Sequence, residues 1–162
     1  MPASKDSSET WMQFVKESVI LASPELVFSF HEQPDLLRLL IPPWESARVI
    51  ESAKISEVGS RAVVETRIFG PITVRWIAEH TRYEPPRMFE DVQVNGPFRS
   101  WRHRHIVKPH ADGAMLRDEI DYEPPLGFLG RAFAPMFVEN RLRKLFDYRH
   151  QVTREWCERK EW

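Results

Sequence analysis

His103 and His105 stand two residues apart in the run FRSWRHRHIVK (98–108), a spacing that points both imidazoles the same way if the run is extended. Imidazole is the side chain whose ordinary pKa lies nearest neutrality. Two of them on one face can move protons, donate to a carbonyl or ligate a metal. The same face carries Trp101 and Val107, while Arg102 and Arg104 point the other way. Burying two guanidinium groups is by far the costlier arrangement, which places the Trp/His face inward. Alternation in the neighbouring runs puts Phe89, Asp91 and Gln93, and then Leu116, Asp118, Ile120 and Tyr122, on inward faces as well. If the Asn95-Gly96-Pro97 turn centres on Pro97, Asp91 falls opposite His103 and Phe89 opposite His105. A turn centred near Asp112 sets His105 opposite Asp118 and Trp101 opposite Tyr122. Opposed residues of an antiparallel pair have Cβ atoms ~5 Å apart, within reach of a carboxylate–imidazole hydrogen bond. The expectation is two inward pairs, His103–Asp91 and His105–Asp118, and a slip of one residue would undo both.

Such pairs admit three uses. They can satisfy one another and knit the strands together. They can recognise a ligand carbonyl or transfer protons in an aldol-type cyclisation or dehydration, since a carboxylate fixes the imidazole tautomer and raises its pKa. They can also ligate a metal, but each imidazole already has a carboxylate partner, so no metal and no other cofactor is expected. Trp44, Trp76, Phe89, Gln93, Trp101 and Tyr122 are candidates for lining an apolar pocket. Aromatic side chains between a sheet and a helix are more often plain core; Trp44, in a loop after two prolines, has less structural reason to be there. His31 closes a helix, where a cation is mildly stabilising without any function. His80 reads as an inward core-edge residue opposite Phe89. Arg141, Arg143, Lys144 and Arg149 form a solvated basic face or, as the alternative, a seat for an anionic headgroup. Cys157 has no base beside it in sequence and reads as inert.

These residues need strands to align them. Between Ala47 and Tyr122 six extended runs are separated by Gly59, Gly70-Pro71, Glu84-Pro85-Pro86, Asn95-Gly96-Pro97 and Ala111-Asp112-Gly113. Each separator supplies the fixed or positive φ of a turn, which makes an antiparallel meander. The segment from Trp11 adds a seventh strand. It ends at Ser23-Pro24, a good helix N-cap and first helical residue. A second short helix follows Pro34 and must stop before Ile41-Pro42-Pro43. From about Leu129 to Trp156 apolar residues recur at three- and four-residue steps, giving one long amphipathic helix that Pro135 should kink or begin. A curved antiparallel sheet crossed by a single helix leaves a hollow between them, because twist keeps the helix from filling the whole space.

The chain of 162 residues is long enough for one domain with a substantial core. Residues 1–10 read as a polar, disordered tail, 11–154 as the domain and 155–162 as an exposed extension. Basic and acidic residues nearly balance, 23 against 24, which argues against a broad nucleic-acid or anionic-membrane footprint. A single cysteine excludes an internal disulfide, and no run is apolar for the ~18 residues of a spanning helix. A soluble, cytoplasmic protein is the expectation. There is no phosphate-cradling glycine loop, Gly-x-Ser-x-Gly nucleophile, Cys-x-x-Cys pair or dinucleotide fingerprint.

Four blocks, SPELVFSFHEQPDLLRLLIPPW (23–44), FEDVQVNGPFRSWRHRH (89–105), the Asp118-x-Ile120-x-Tyr122-x-x-Pro125 run and LFDYRH (145–150), resemble the START-like or SRPBCC superfamily. The local matches are similar to its bacterial ligand-binding and polyketide cyclase/dehydrase-like branch. The resemblance implies an α+β helix-grip fold. That is a seven-stranded curved antiparallel sheet, two short helices after the first strand and a long C-terminal helix over the concave face. It also implies a deep apolar pocket for a lipid-, sterol- or polyketide-like ligand, and brings no universal catalytic set and no metal. Two further readings stand beside ligand binding. One is a cyclase or dehydratase using His103 and His105 for acid–base chemistry with Asp91 and Asp118 orienting them. The other is an interaction or regulatory domain whose interior is filled by its own side chains.

Overall fold

A computed structural model of the chain describes residues 11–69 and 71–160, so the expected tail of 1–10 lies outside the described residues. Strand β1 (Met12–Ile20) leads to Ser23, whose Oγ accepts from the Leu26 amide at 3.2 Å and caps α1 (Pro24–His31). The short α2 (Leu36–Leu39) follows, and then come β2 (Ala47–Glu51), β3 (Arg61–Phe69), β4 (Ile72–Glu84), β5 (Met88–Asn95), β6 (Ser100–His110) and β7 (Gly113–Glu123). The sheet order is β1-β7-β6-β5-β4-β3-β2, every neighbouring pair antiparallel. Each strand from β2 to β7 therefore lies beside its successor, as the short turns require, and α1 and α2 carry the chain from one edge strand to the other. This is the α+β helix-grip arrangement.

Helix α3 (Gly127–Lys160) packs on β1, β7 and α1. Pro135 lies inside it rather than at its start. Lacking an N–H, Pro135 leaves the carbonyl four residues back without its helical partner. The division expected at residue 154 falls within the same helix, which runs on to Lys160 with Cys157 fully buried.

The inner face of the sheet carries two apolar clusters. One gathers Ile20, Val27, Phe28, Phe30, Phe89, Val107 and Leu116 under α1 and the end of α3. The other gathers Phe14, Trp101, Ile120 and Tyr122 under Leu142 and Phe146 of α3. Arg102 and Arg104 are on the opposite face, where Arg104 pairs with Asp121 and Glu119. In β6 and β7 the residues between the two clusters, on the same inward face, are His103, His105 and Asp118. A polar belt thus crosses an otherwise apolar interior.

Candidate functional site

The register of β5 with β6 sets Asp91 opposite His103 and Phe89 opposite His105, and that of β6 with β7 sets His105 opposite Asp118 and Trp101 opposite Tyr122. The side chains then converge further than simple pairs. Nε2 of His103 donates to Oδ1 of Asp118 at 2.8 Å, and Nδ1 of His105 lies 2.8 Å from that same oxygen. Oδ2 of Asp91 accepts from Nε2 of His105 at 3.3 Å and lies 3.7 Å from Nδ1 of His103. The two imidazoles are in contact, ring centroids 3.7 Å apart, and Phe89 stacks flat on His105 at 4.0 Å.

Two more histidines join from the helices. Nε2 of His150, on α3, donates to Oδ2 of Asp118 at 2.7 Å, while Ser18 Oγ of β1 donates to its Nδ1 at 2.8 Å. His31, the last residue of α1, donates from Nδ1 to the Val27 carbonyl at 2.9 Å and brings its ring to 5.9 Å from that of His105. A bulge in β4 between His80 and Arg82 places His80 in register with Asp91, not with Phe89, which pairs with Tyr83 instead. His80 Nδ1 is buried without a hydrogen-bond partner. Apart from His110, every histidine of the chain therefore meets one buried centre. His31 is buried inside it and is not a solvated helix cap.

Charge in this centre follows from burial and proximity. Burial alone would hold His105 neutral, but Asp118 and Asp91 outweigh it and push its pKa up to about 9. Burial lowers the His31 pKa to about 4, with cationic His105 acting in the same direction. His103 is also lowered, by burial and by His105. Burial opposes ionisation of Asp118, yet His105, His103 and His150 hold its carboxyl well below the usual carboxylate range, and Asp91 is lowered by the same kind of neighbours. The centre thus sets neutral and protonated imidazoles side by side, a distribution suited to proton transfer.

A groove of about 360 Å³ lies apart from these residues, between the loop around Trp44 and α3, lined by Trp44, Glu45, Met136, Phe137, Asn140, Arg141 and Lys144. Arg141 grips Glu45 through two guanidinium nitrogens (2.6 and 3.2 Å), and Arg149 donates to the Leu40 carbonyl. These two cations of the basic stretch are therefore engaged with the chain itself. Met136 and Phe137 of the groove wall are exposed, as are Leu126, Leu129 and Phe133 before them, more than half of each accessible. Val138 and Leu142, each next to a groove residue, belong to the cluster of Tyr122, whose Oη is buried without a partner and whose pKa is raised to about 12 by burial and by Glu139. Trp76, Phe98, Trp101 and Tyr122 form a contiguous set of ring contacts in that cluster.

Of the six residues expected to line a pocket, Trp44 is the one on the groove. Trp76, Trp101 and Tyr122 stand in the aromatic cluster. Phe89 is core beneath α1, where it meets Phe28 edge-on. Gln93 is taken up by the turn, donating to the Phe98 carbonyl at 2.7 Å and accepting from the Phe98 amide at 3.3 Å. The sequence did hold a signal for the missed His150: it continues the Leu142–Phe146 step of the buried stripe of α3. His31 likewise follows buried Val27 by one turn.

A family model described as polyketide cyclase/dehydrase and lipid transport matches residues 20–147. The comparison with curated proteins gives no significant match. Among solved structures, protein CV1439 from Chromobacterium violaceum superposes with TM-score 0.67 at 15% identity, covering 90% of this chain and 97% of that one. Ara h 8.0201 gives 0.60 at 12% identity, covering 88% and 97%. The di-domain ARO/CYC StfQ from the steffimycin biosynthetic pathway gives 0.69 at 11% identity, covering 93% of this chain and 52% of that one. At such identities these likenesses speak for the fold.

Proposed function

Because the chain belongs to the polyketide cyclase/dehydrase and lipid transport family, we propose that it binds a small hydrophobic ligand, lipid-, sterol- or polyketide-like, in the groove between the loop around Trp44 and α3. The observation that carries this reading is the groove of about 360 Å³ walled by Trp44, Met136 and Phe137, a volume within the range of small-molecule sites. Exposed apolar side chains on its lip give an apolar molecule a surface to enter along.

Mass spectrometry of small molecules extracted from the purified protein, with titration of an apolar fluorescent probe, tests the reading. Saturable binding is expected, weakened roughly tenfold by joint Trp44→Ala and Phe137→Ala substitution, the equivalent of about 1.4 kcal/mol of lost apolar contact. No extracted ligand and no saturable probe binding would favour a domain filled by its own side chains.

A second reading, a cyclase or dehydratase, is favoured by one contact. The His103 ring lies 6.3 Å from that of Trp101, at the border between the aromatic cluster and the polar belt. A ligand advancing along Trp101 would meet an imidazole held by Asp118. His103 and His105 then exchange protons with the substrate while Asp91 and Asp118 orient them. For this reading, His103→Ala and His105→Ala should lower turnover by ~10²-fold or more while probe affinity holds.

A further inference from the structure

We propose that Asp91, His103 and His105 form a site for one first-row divalent transition-metal ion, of which Zn²⁺ is the reference case. Oδ2 of Asp91 lies 3.3 Å from Nε2 of His105 and 3.7 Å from Nδ1 of His103, and one ligand atom from each residue falls within 4.8 Å of the others. Ligands bound at ~2.0–2.1 Å around a tetrahedral ion stand ~3.4 Å apart, so two of the three edges are close to that spacing. The third, between the two imidazole nitrogens, is no longer than 4.8 Å.

The far nitrogens make the stronger argument. Nε2 of His103 and Nδ1 of His105, the atoms turned away from Asp91, both lie 2.8 Å from Oδ1 of Asp118. A carboxylate behind a ligating imidazole fixes the tautomer that aims the other nitrogen's lone pair at the metal. Asp118 stands in that place for two imidazoles at once, and His150 with Ser18 steadies its second oxygen. An acid beside each imidazole argues, in sequence alone, against a metal. The structure divides the two acids, Asp118 behind the rings and Asp91 on the side where an ion would sit.

The centre is sealed on one side and accessible on the other. Side chains of Asp118 and His150 are 4% and 2% exposed, those of Asp91 and His105 13% and 12%. His80 stands across from Asp91, itself 8% exposed, with its buried Nδ1 lacking a partner. A water carried on the ion's open position would supply one. Two nitrogen donors and one carboxylate suit Zn²⁺, Co²⁺ or Fe²⁺ better than Mg²⁺ or Ca²⁺, which take oxygen ligands. Three protein ligands leave a position for water or for a ligand oxygen, which the ion would polarise.

The test uses the tag-free full chain, stripped with a chelator and titrated with Zn²⁺ by calorimetry and with Co²⁺ by visible absorption. One ion per chain is expected, with a cobalt spectrum of low-symmetry nitrogen–oxygen coordination. Asp91→Asn should weaken binding by ~10²-fold or more and Asp118→Asn by ~10–100-fold, while His110→Ala, in the β6–β7 hairpin, should change nothing. Near-UV circular dichroism checks that each variant is folded. No stoichiometric uptake by the wild-type chain, or uptake indifferent to Asp91→Asn, would overturn the proposal. The apolar probe is titrated into the same metal-free protein, so loss of one property without the other separates this inference from the ligand reading.

Discussion

Replacing Asp118 by Asn keeps the side chain's shape and removes the charge on which the buried centre converges. Asp118 is 3% exposed and accepts from His103 at 2.8 Å and His150 at 2.7 Å, with His105 a further 2.8 Å contact. A hydrogen bond to a charged group is worth about 1.5–3 kcal/mol, and removing one partner of a buried ionic set costs about 3–5 kcal/mol. The amide retains one acceptor, but its NH₂ group faces an imidazole N–H where an oxygen had been. The expected loss is therefore about 3–5 kcal/mol out of the ~5–15 kcal/mol typical of a domain. At this chain length that corresponds to a fall in Tm of roughly 6–20 °C. Urea and thermal unfolding at pH 6.5, followed by far-UV circular dichroism and tryptophan fluorescence on chelator-treated protein, measure it. A loss below about 1 kcal/mol would refute the argument that Asp118 organises the belt.

Stability of the metal-free protein should peak near pH 6.5. His31, with a folded pKa of about 4, binds fewer protons than the unfolded chain between pH 4 and 6.5, so stability rises with pH there. His105, raised to about 9, binds more than the unfolded chain between 6.5 and 9, so its contribution, roughly 3 kcal/mol at most, fades as pH rises. Urea midpoints that climb steadily to pH 9 would contradict this. Gly113→Ala should destabilise by about 1–3 kcal/mol, because at φ 139° its Cβ would lie 2.4 Å from the Ile20 carbonyl oxygen and disturb the β6–β7 hairpin that aligns the histidines. Phe146→Ala should cost about 3–5 kcal/mol in urea unfolding, since its buried ring packs against Phe14 and edge-on to His103. Pro135→Ala should raise the helical circular dichroism signal and stability by up to ~3 kcal/mol, restoring one N–H to α3.

The hairpin registers around the centre were legible because they depend on local chemistry. Turns at Gly96-Pro97 and Asp112-Gly113 fix which residues of β5, β6 and β7 oppose one another, and alternation fixes their faces. The partner of His80 was not legible: the Pro85-Pro86 turn sets Tyr83 opposite Phe89, and the bulge after His80, which no residue type demands, then moves His80 by one position, from Val92 to Asp91. Nor could spacing show that one carboxylate would serve three imidazoles. That depends on how α1 and α3 dock, which brings His31 and His150 over the strands. Alternation gives the face of Gln93 but not its partner, and a long amide next to a turn reaches the backbone of Phe98. For the pocket, alternation marks Trp101 and Tyr122 as inward without saying whether the helix above them lies close. Packing of Phe146 and Leu142 closes that space, and the groove appears further out at Trp44.

The proposal of a ligand held in the groove between Trp44 and α3 is tested most directly by the indole N–H resonances of the tryptophans during titration with an apolar aromatic probe. Trp44 on the groove should shift and saturate, while Trp156, packed against Phe30 in the cluster under α1, stays put. An unmoved Trp44 resonance, or a shift confined to Trp156, would contradict it.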